Sequence, residues 1–227
     1  MKPLKDVYEK DILIDDTGFQ VMMEWEKPYM EAMVNELKPT GDVLEIGFGF
    51  GYSANEIQKY NISSHTIIES DPDVVEKAKE WAKLQTHPVK IVEGLWQDCL
   101  SDLDTFDSFF LDDSPSEKYP DHNNTRIYDF YYMVLNDHAN KGARMTWYCD
   151  APIYWLSHPK TTWSFSEFKT DIPDNCDYVP EFYQLKTVYI PIVSFPFGNI
   201  EGVTYMALDK FMNFIQKESV SKEGKNS

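Results

Sequence analysis

A glycine-rich turn at residues 45–51, EIGFGFG, constrains the fold of this chain more than any other segment. The apolar run from Val43 to Ile46 before it is typical of a short buried strand, and residues 52–60 after it have a helical pattern. Glycine at 47, 49 and 51 lets another group approach the backbone where a Cβ atom would obstruct it. The spacing is GxGxG, which lacks the third glycine of GxGxxG, and no Gly-Lys-Ser/Thr follows, which excludes a P-loop.

Strand and helix patterns alternate along the rest of the chain. Further strands are predicted at HTIIESD, VKIVEG, TFDSFFLDD and ARMTWYC, and helices at DPDVVEKAKEWAKLQ and TRIYDFYYMVLNDHA. This alternation favours a parallel sheet with helices on both faces. Towards the C-terminus, LKTVYIPIVSF and EGVTYMALDKF are predicted to form an antiparallel hairpin through FGN.

The chain is expected to divide into three parts. Residues 1–40 are predicted to form an N-terminal arm and a helical lid, because apolar residues recur at helical spacing from Asp16 to Leu37. Pro28 is expected to divide that helix into two pieces. Residues 41–214 are predicted to form the α/β domain, and residues 215–227 a flexible tail.

The composition limits the classes of partner. A formal net charge of −17 disfavours nucleic acid, because each phosphate contact would form against a repelling field, whereas the same field attracts cations. The cysteines Cys99, Cys149 and Cys176 show no CxxC spacing, which argues against a disulfide framework or a structural zinc site. Neither a signal peptide nor an apolar run of about 18 residues occurs, so a soluble cytoplasmic protein without a membrane partner is expected.

An acidic residue ends the second predicted strand, about twenty residues after the glycine turn. Glu69 at this place suits hydrogen bonds to a ribose diol and would repel a ribose 2′-phosphate. An acid before GxGxG and a second acid after strand two form the pattern of class I S-adenosylmethionine-dependent methyltransferases. Trp96 and Gln97 follow strand three, where that class holds the adenine ring, although Trp96 could equally be a core residue. A dinucleotide-dependent oxidoreductase and a tight turn without a ligand stay open as alternatives.

Two carboxylates follow directly on the fourth predicted strand. In FFLDDSP the apolar residues 109–111 indicate a buried strand end, and Asp112 and Asp113 come immediately after it. Carboxylates there usually hold a cation, such as a metal ion, an amine or a guanidinium. A metal is disfavoured because no histidine or further acid stands at ligand spacing, and Asp112 could instead cap the next helix. These residues alone leave the kind of cation open.

Residues 18–115 resemble one family. The segments MEWEKPYM, LEIGFGFG, HTIIES, QTHPVKIVEGLWQD and LDDSP have the order and spacing of guanidinoacetate N-methyltransferase and its relatives, among them the fungal-type protein arginine δ-N-methyltransferases. The resemblance is loose beyond those residues. It implies a class I methyltransferase fold, which is a Rossmann-like, doubly wound sheet of seven strands with a terminal antiparallel hairpin. It also implies S-adenosylmethionine as the cofactor.

The resemblance further implies roles for particular residues. In that family a glutamate of the Trp-Glu pair and the strand-four aspartate hold the substrate guanidino group beside the methyl sulfonium, and they correspond to Glu26 and Asp112. One of the two is expected to be the general base, with Asp112 the first choice. The family's strand-four motif usually reads Asp-Thr followed by Tyr or Phe. Asp113 and Ser114 depart from it, and a second carboxylate could favour a more positively charged substrate.

Two sets of site residues are therefore predicted around the catalytic pair, with no metal. The residues expected at the cofactor are Glu45, Gly47, Gly49, Gly51, Glu69, Ser70, Gly94, Leu95, Trp96, Gln97 and Asp112. The residues expected at the substrate are Trp25, Glu26, Tyr29, Asp113, Ser114, His122 and Arg126. The leading predicted reaction is methylation of guanidinoacetate to creatine, with free arginine second and protein-bound arginine third. An inactive methyltransferase-like scaffold is a further alternative, and a monomer or homodimer is expected.

Overall fold

The computed structural model describes residues 1–114, 118, 125–149, 158–172 and 186–200. Within these ranges the chain forms a three-stranded sheet and a seven-stranded sheet. None of the helices in these ranges has the length and apolarity needed to cross a membrane.

The N-terminal segment is a small antiparallel sheet followed by a helix. Its strands, in spatial order, are β1 (Lys2–Lys5), β2 (Asp11–Ile14) and β3 (Gln20–Met23). A 3₁₀ turn at Glu24–Glu26 is followed directly by α1 (Lys27–Leu37), and α1 buries one apolar face. Pro28 stands in the first turn of α1, where its missing N–H leaves no helical hydrogen bond unmade.

The helix predicted from Asp16 to Leu37 is wrong for residues 16–23. These residues form the turn after β2 and the strand β3. The Asp15 carboxylate accepts hydrogen bonds from the backbone N–H groups of Thr17 and Phe19, at 2.8 and 2.9 Å. Gly18 adopts φ +88°, so residues 15–18 form a tight turn that pairs β2 with β3. This local turn chemistry outweighs the helical spacing of the apolar residues around it.

The central sheet contains the glycine turn and the two predicted carboxylates at one of its edges. In chain order its strands and the intervening helices are β4 (Gly41–Ile46), α2 (Tyr52–Ile57), β5 (Ile62–Glu69), α3 (Pro72–Ala82), β6 (Val89–Glu93), α4 (Trp96–Cys99), β7 (Phe106–Leu111), α5 (Thr125–Met133), β8 (Ala139–Trp147), β9 (Thr162–Lys169) and β10 (Thr187–Phe195). A short 3₁₀ turn, Leu100–Asp102, follows α4, and a π-helical turn, Val134–His138, follows α5.

The strand order is β6-β5-β4-β7-β8-β10-β9. The first five strands in this order are parallel, and β10 runs antiparallel to both β8 and β9. The predicted seven-stranded, doubly wound fold with antiparallel C-terminal strands is therefore confirmed. The predicted partner of β10 in the terminal hairpin, residues 201–211, lies outside the described residues, as does the predicted tail. The observed partner, β9, was not predicted.

Apolar side chains fill both faces of the central sheet. Phe109 and Phe110 are consecutive residues of β7 with no exposed surface, and they point to opposite faces. Phe109 packs in a cluster with Phe130 of α5, and Phe110 packs with Met33 of α1. Full burial of a phenylalanine stabilises a fold by about 1.5–3 kcal/mol. These contacts fix β7, and with it the acidic residues at its end.

A row of backbone hydrogen bonds continues past the strand ends. Gly47 N donates to Ile68 O at 2.9 Å, and Asp112 N donates to Ile46 O at 3.0 Å. Gly94 N and Tyr148 N make equivalent bonds to the neighbouring strands, at 2.9 and 3.0 Å. Because parallel strands end at the same edge, this row holds the glycine turn and the acidic residues side by side.

Candidate active site

A cleft opens at the carboxyl edge of β4, β5, β7 and β8, with a volume of about 390 Å³. This size falls within the usual range for small-molecule sites. The small N-terminal sheet forms one wall. The predicted site residues that line the cleft are Glu26, Gly47, Gly49, Glu69, Ser70, Gly94, Leu95, Trp96, Asp112, Asp113, Ser114 and Arg126.

The glycine turn packs too closely against its surroundings to accept a side chain. Gly47 has φ +84°, and a Cβ atom there would lie 2.1 Å from the carbonyl oxygen of Asp112. Gly49 has φ +53°, and a Cβ atom there would lie 2.5 Å from the Met22 sulfur. That sulfur also accepts a hydrogen bond from Phe50 N at 3.3 Å. The turn is thus held between β7 and the N-terminal sheet, with its backbone against the cleft.

The Glu69 carboxylate stands at the end of β5 and lines the cleft. One of its oxygens accepts a hydrogen bond from Phe48 N at 2.8 Å. The other accepts from Ser70 N and Asp71 N, at 2.8 and 2.9 Å. Each carboxylate oxygen has two lone-pair directions, so the oxygen that accepts from Phe48 N can accept one further hydrogen bond, as from a ribose hydroxyl. Its position beside the glycine turn agrees with the predicted ribose contact.

Two carboxyl groups, the buried Glu26 and the partly buried Asp112, line the cleft from different parts of the chain. Glu26 is 5% exposed, and its Oε1 accepts a hydrogen bond from Met23 N at 2.9 Å. Burial raises the pKa of Glu26 well above its usual value, and the negative charge of Asp112 raises it further. Burial also raises the pKa of Asp112, to about 7, with the charges of Asp113 and Glu45 adding to the effect. Such a pair of carboxyls favours the entry of a cation.

Asp113 turns away from this pair and joins two helices. Its Oδ2 accepts a hydrogen bond from Trp96 Nε1 at 2.7 Å, at the start of α4. Its Oδ1 accepts from an Nη atom of Arg126 at 2.9 Å, and its backbone oxygen accepts from the same atom at 2.8 Å. Both side chains of the ion pair are about 15% exposed, at 15% for Arg126 and 14% for Asp113. Asp113 is therefore engaged by protein groups on both carboxylate oxygens.

Glu45 lies behind the glycine turn and does not line the cleft. It has no exposed surface, it accepts a hydrogen bond from the Ser53 hydroxyl, and its Oε2 lies 2.8 Å from Nε2 of the equally buried His65. His65 Nδ1 in turn lies 3.4 Å from Gln58 Nε2. Glu45 thus supports the glycine turn and α2 on the side away from the cleft, whereas the sequence predicted that it contacts the cofactor directly. The sequence analysis did not identify His65.

Other predicted site residues stand outside the lining of the cleft. Tyr29 is fully buried, and its hydroxyl donates to Tyr189 O at 2.6 Å and accepts from Cys149 N at 3.1 Å. Trp25 Nε1 donates to the Met23 sulfur at 3.2 Å. Tyr29 and Trp25 therefore lie behind the residues that line the cleft. Gly51 and Gln97 are likewise not among the lining residues, and His122 lies outside the described residues.

Sequence analysis missed several lining residues. Those of the N-terminal segment are Met1, Phe19, Val21 and Met22, and those that follow β7 and β8 are Ile127, Trp147, Tyr148 and Cys149. A signal for the second group was available, because the segment ARMTWYC was predicted as a strand parallel to β7 and its end must lie at the same edge. Phe19, Val21 and Met22 were not predicted because they fall within the helix that was wrongly predicted for residues 16–23.

The described residues contain no cluster of three or more His, Cys, Asp or Glu side chains able to hold a metal ion. The donor set of the cleft suits a nucleoside with an attached cationic centre. The backbone of the glycine turn borders the cleft, Glu69 offers a fixed acceptor for a ribose hydroxyl, and Trp96 offers an aromatic wall. The residues present therefore fit S-adenosylmethionine, and Glu26 and Asp112 add two carboxyl groups to the lining of the same cleft.

Solved structures with the same fold are methyltransferases and related enzymes. An O-methyltransferase from Bacillus cereus, in complex with SAH, matches with a TM-score of 0.52 and 11% identity, over 77% of this chain and 82% of that one. Spermidine synthase from Thermotoga maritima matches with a TM-score of 0.53 and 15% identity, over 86% of this chain and 72% of that one. At such identities the likeness concerns the fold. It identifies the class I methyltransferase fold, with the glycine turn and Glu69 at the carboxyl ends of its strands.

Sequence comparison gives the family. The family model of guanidinoacetate N-methyltransferase matches residues 5–165, more than half of the chain, and the chain belongs to this family. Protein arginine N-methyltransferase 2 from Candida glabrata is 30% identical over 210 residues, covering 83% of this chain and 50% of that protein. The protein of the same name from Saccharomyces cerevisiae is 35% identical over 139 residues, covering 56% of this chain and 32% of that protein. The chain thus spans half or less of the length of these relatives.

Proposed function

We propose that this protein transfers a methyl group from S-adenosylmethionine to a guanidino nitrogen of arginine. The observation that carries the proposal is the pair of carboxyl groups, the buried Glu26 and the partly buried Asp112, in the cleft that the glycine turn and Glu69 also line. The names of the relatives support arginine over guanidinoacetate, which the sequence placed first.

The chemistry needs both a cradle and a base. An alkylguanidinium has a pKa above about 12 and no free lone pair on nitrogen. Glu26 and Asp112 would bind its planar N–H groups through charge-assisted hydrogen bonds, which are about twice as strong as neutral ones. S-adenosylmethionine, when bound, supplies a methyl group activated by the positive sulfur. One carboxylate accepts the guanidinium proton as the nitrogen lone pair forms its bond to the methyl carbon and the carbon–sulfur bond breaks.

The protonation of the carboxyl groups before the substrate binds determines how this step begins. With a pKa of about 7, Asp112 is partly protonated at neutral pH before a substrate enters. A guanidinium placed between the carboxyl groups lowers the pKa of both, because an opposite charge favours the ionised form. Binding thus releases a proton and leaves Asp112 ionised beside the nitrogen to be methylated. Asp112 is the better-placed base, since β7 holds it by buried contacts on both faces of the sheet.

Guanidinoacetate is the second candidate substrate. The family model that matches most of the chain carries the name of that activity, and the same two carboxyl groups would hold its guanidino group. The two candidates differ at the other end of the molecule, where guanidinoacetate has a carboxylate and a peptide-bound arginine does not.

The proposal is tested with labelled S-adenosylmethionine and a panel of acceptors. The panel contains an arginine peptide with blocked ends, free arginine, agmatine and guanidinoacetate. We expect methylation of a guanidino nitrogen, which mass spectrometry of the product locates. Asp112→Asn should abolish most turnover, by a factor of about 10²–10⁴, while binding of S-adenosylhomocysteine by calorimetry stays near its original affinity.

A matched control is Asp102→Asn, which removes an exposed carboxylate outside the cleft and should change neither quantity. Cofactor binding without methylation of any guanidine would refute the proposed function. Loss of cofactor binding in Asp112→Asn would show that Asp112 belongs to the cofactor site and not to the acceptor cradle.

A further inference from the structure

The charged side chains that line the described cleft are strongly unbalanced. Glu26, Glu69, Asp112 and Asp113 carry carboxyl groups, and Arg126 carries the guanidinium. A substrate with its own carboxylate needs a cationic or N–H-rich partner in such a cleft, because it would otherwise approach four acidic groups. The position of Arg126 therefore bears directly on which guanidino compounds the cleft accepts.

The chain has two arginines, and both are engaged by other parts of the protein. Arg144 lies on β8 and donates to the backbone oxygens of Leu37 and Glu36 at the end of α1. Arg126 donates to the side chain of Asp113 at 2.9 Å and to its backbone oxygen at 2.8 Å. An arginine is the usual partner of a carboxylate because it presents a rigid fork of donors. Here one Nη atom of Arg126 makes both of these hydrogen bonds to Asp113.

Asp113 itself is held in the orientation that makes this pairing. Trp96 Nε1 donates to its second oxygen at 2.7 Å, and Trp96 is buried to 3% exposure against Phe130. Both oxygens of Asp113 thus already accept hydrogen bonds from protein donors, whereas the departure from the Asp-Thr motif led us to expect that this carboxylate serves a more basic substrate. Its effect is on Arg126, whose charge it neutralises within the cleft.

We propose that Asp113 is a specificity-determining residue that withdraws Arg126 from substrate binding, so that the acceptor is a guanidine without a neighbouring carboxylate. An arginine side chain within a peptide has this character, because its carboxyl group is part of an amide. Free arginine and guanidinoacetate do not have it. This inference rests on the proposed guanidine methylation and adds the class of acceptor to it.

The test compares acceptors that differ by one carboxylate. Agmatine is arginine without its carboxyl group, so the ratio of kcat/KM for agmatine to that for free arginine measures how the cleft treats this group. We expect the unmodified protein to favour agmatine and the blocked arginine peptide over free arginine and guanidinoacetate by about tenfold or more. In Asp113→Asn the guanidinium of Arg126 is released, and the ratio should fall by about tenfold.

Two further variants keep the test decisive. The double variant Asp113→Asn/Arg126→Gln removes both charges of the ion pair and should leave the agmatine-to-arginine ratio within about twofold of its original value, because Arg126 does not bind the substrate carboxylate in the unmodified protein. Asp98→Asn removes a carboxylate that pairs with Lys118 outside the cleft lining and serves as the matched control for Asp113→Asn. Binding of S-adenosylhomocysteine reports that each variant is folded. If Asp113→Asn alone does not fold, the agmatine-to-arginine ratios of the unmodified protein and of the double variant test the proposal.

The outcomes separate this inference from the proposed function. A preference of the unmodified protein for guanidinoacetate or free arginine would refute the role of Asp113 and leave guanidine methylation intact. The same holds if the double variant Asp113→Asn/Arg126→Gln lowers turnover of the carboxylate-bearing acceptors alone. Cofactor binding with no turnover of any acceptor would refute the proposed function, and the inference with it.

Discussion

Replacing Asp112 by asparagine is expected to stabilise the folded protein at alkaline pH, although the same change removes the proposed base. Burial and the neighbouring negative charges raise the pKa of Asp112 to about 7 in the folded protein. In an unfolded chain an aspartate has a pKa of about 4. The folded state therefore binds this proton more tightly, and its stability falls as the pH rises from about 4 to about 7. Asparagine does not ionise, so the variant escapes this loss.

The size of the effect follows from the pKa. Each pH unit between the folded and unfolded pKa values changes the free energy of unfolding by about 1.4 kcal/mol. From about pH 5.5 to the folded pKa this amounts to about 2 kcal/mol, and above it the difference is constant. Relative to the unmodified protein, Asp112→Asn should thus gain about 2 kcal/mol more at about pH 8 than at about pH 5.5. Both conditions lie above the sequence pI of about 4.6, where the net charge stays negative.

Urea unfolding followed by tryptophan fluorescence measures this difference at the two pH values. The control Asp102→Asn concerns an exposed aspartate and should show no comparable change with pH. If Asp112→Asn alters the free energy of unfolding equally at both pH values, Asp112 is already ionised in the folded protein near pH 5.5. The reasoning that a cation is needed to ionise it would then be wrong.

Three other predictions test separate parts of the site. Glu69→Gln should weaken S-adenosylhomocysteine binding about tenfold or more, as measured by calorimetry. The control Glu93→Gln, at the exposed end of the neighbouring strand, should not weaken it. Equal affinities of the two variants for S-adenosylhomocysteine would contradict the ribose role of Glu69. Gly47→Ala should lower the urea midpoint more than Gly142→Ala, because both have positive φ but only Gly47 meets a neighbouring backbone atom, and equal losses would exclude this packing. The kcat/KM for the best acceptor should rise with pH and level off above about 7 as Asp112 ionises, and a flat profile would exclude it as the base.

The sequence predicted the central sheet well because each signal there was local. The strand, glycine turn and helix at residues 43–57 follow from apolar periodicity and glycine spacing, and Glu69 and Asp112 stand at strand ends whose meeting point is fixed by parallel topology. Strand β9 was missed because it alternates between partly buried and exposed residues at the edge of the sheet. Its pairing with β10 depends on tertiary contacts and not on a turn between neighbouring segments.

Side-chain roles were harder to predict than strand positions. Tyr29 and Glu45 lie close in sequence to cleft residues, but each makes its hydrogen bonds behind the wall, with Tyr189 and with His65. Only the fold shows which side of a helix or strand meets the cleft. In the same way, Asp113 was expected to extend the charge offered to the substrate, because no sequence pattern reveals that Arg126 and Trp96 engage it.

The two carboxyl groups of the proposed cradle belong to separately built units. Asp112 continues a strand of the central sheet, together with the glycine turn and Glu69, whereas Glu26 follows the small N-terminal sheet that Met22 ties to the glycine turn. The proposed reaction therefore requires that these two units be packed against each other, because each contributes one of the two carboxyl groups. If the first 26 residues were displaced, the glycine turn and Glu69 of the cofactor side would remain, but the acceptor site would keep Asp112 without Glu26.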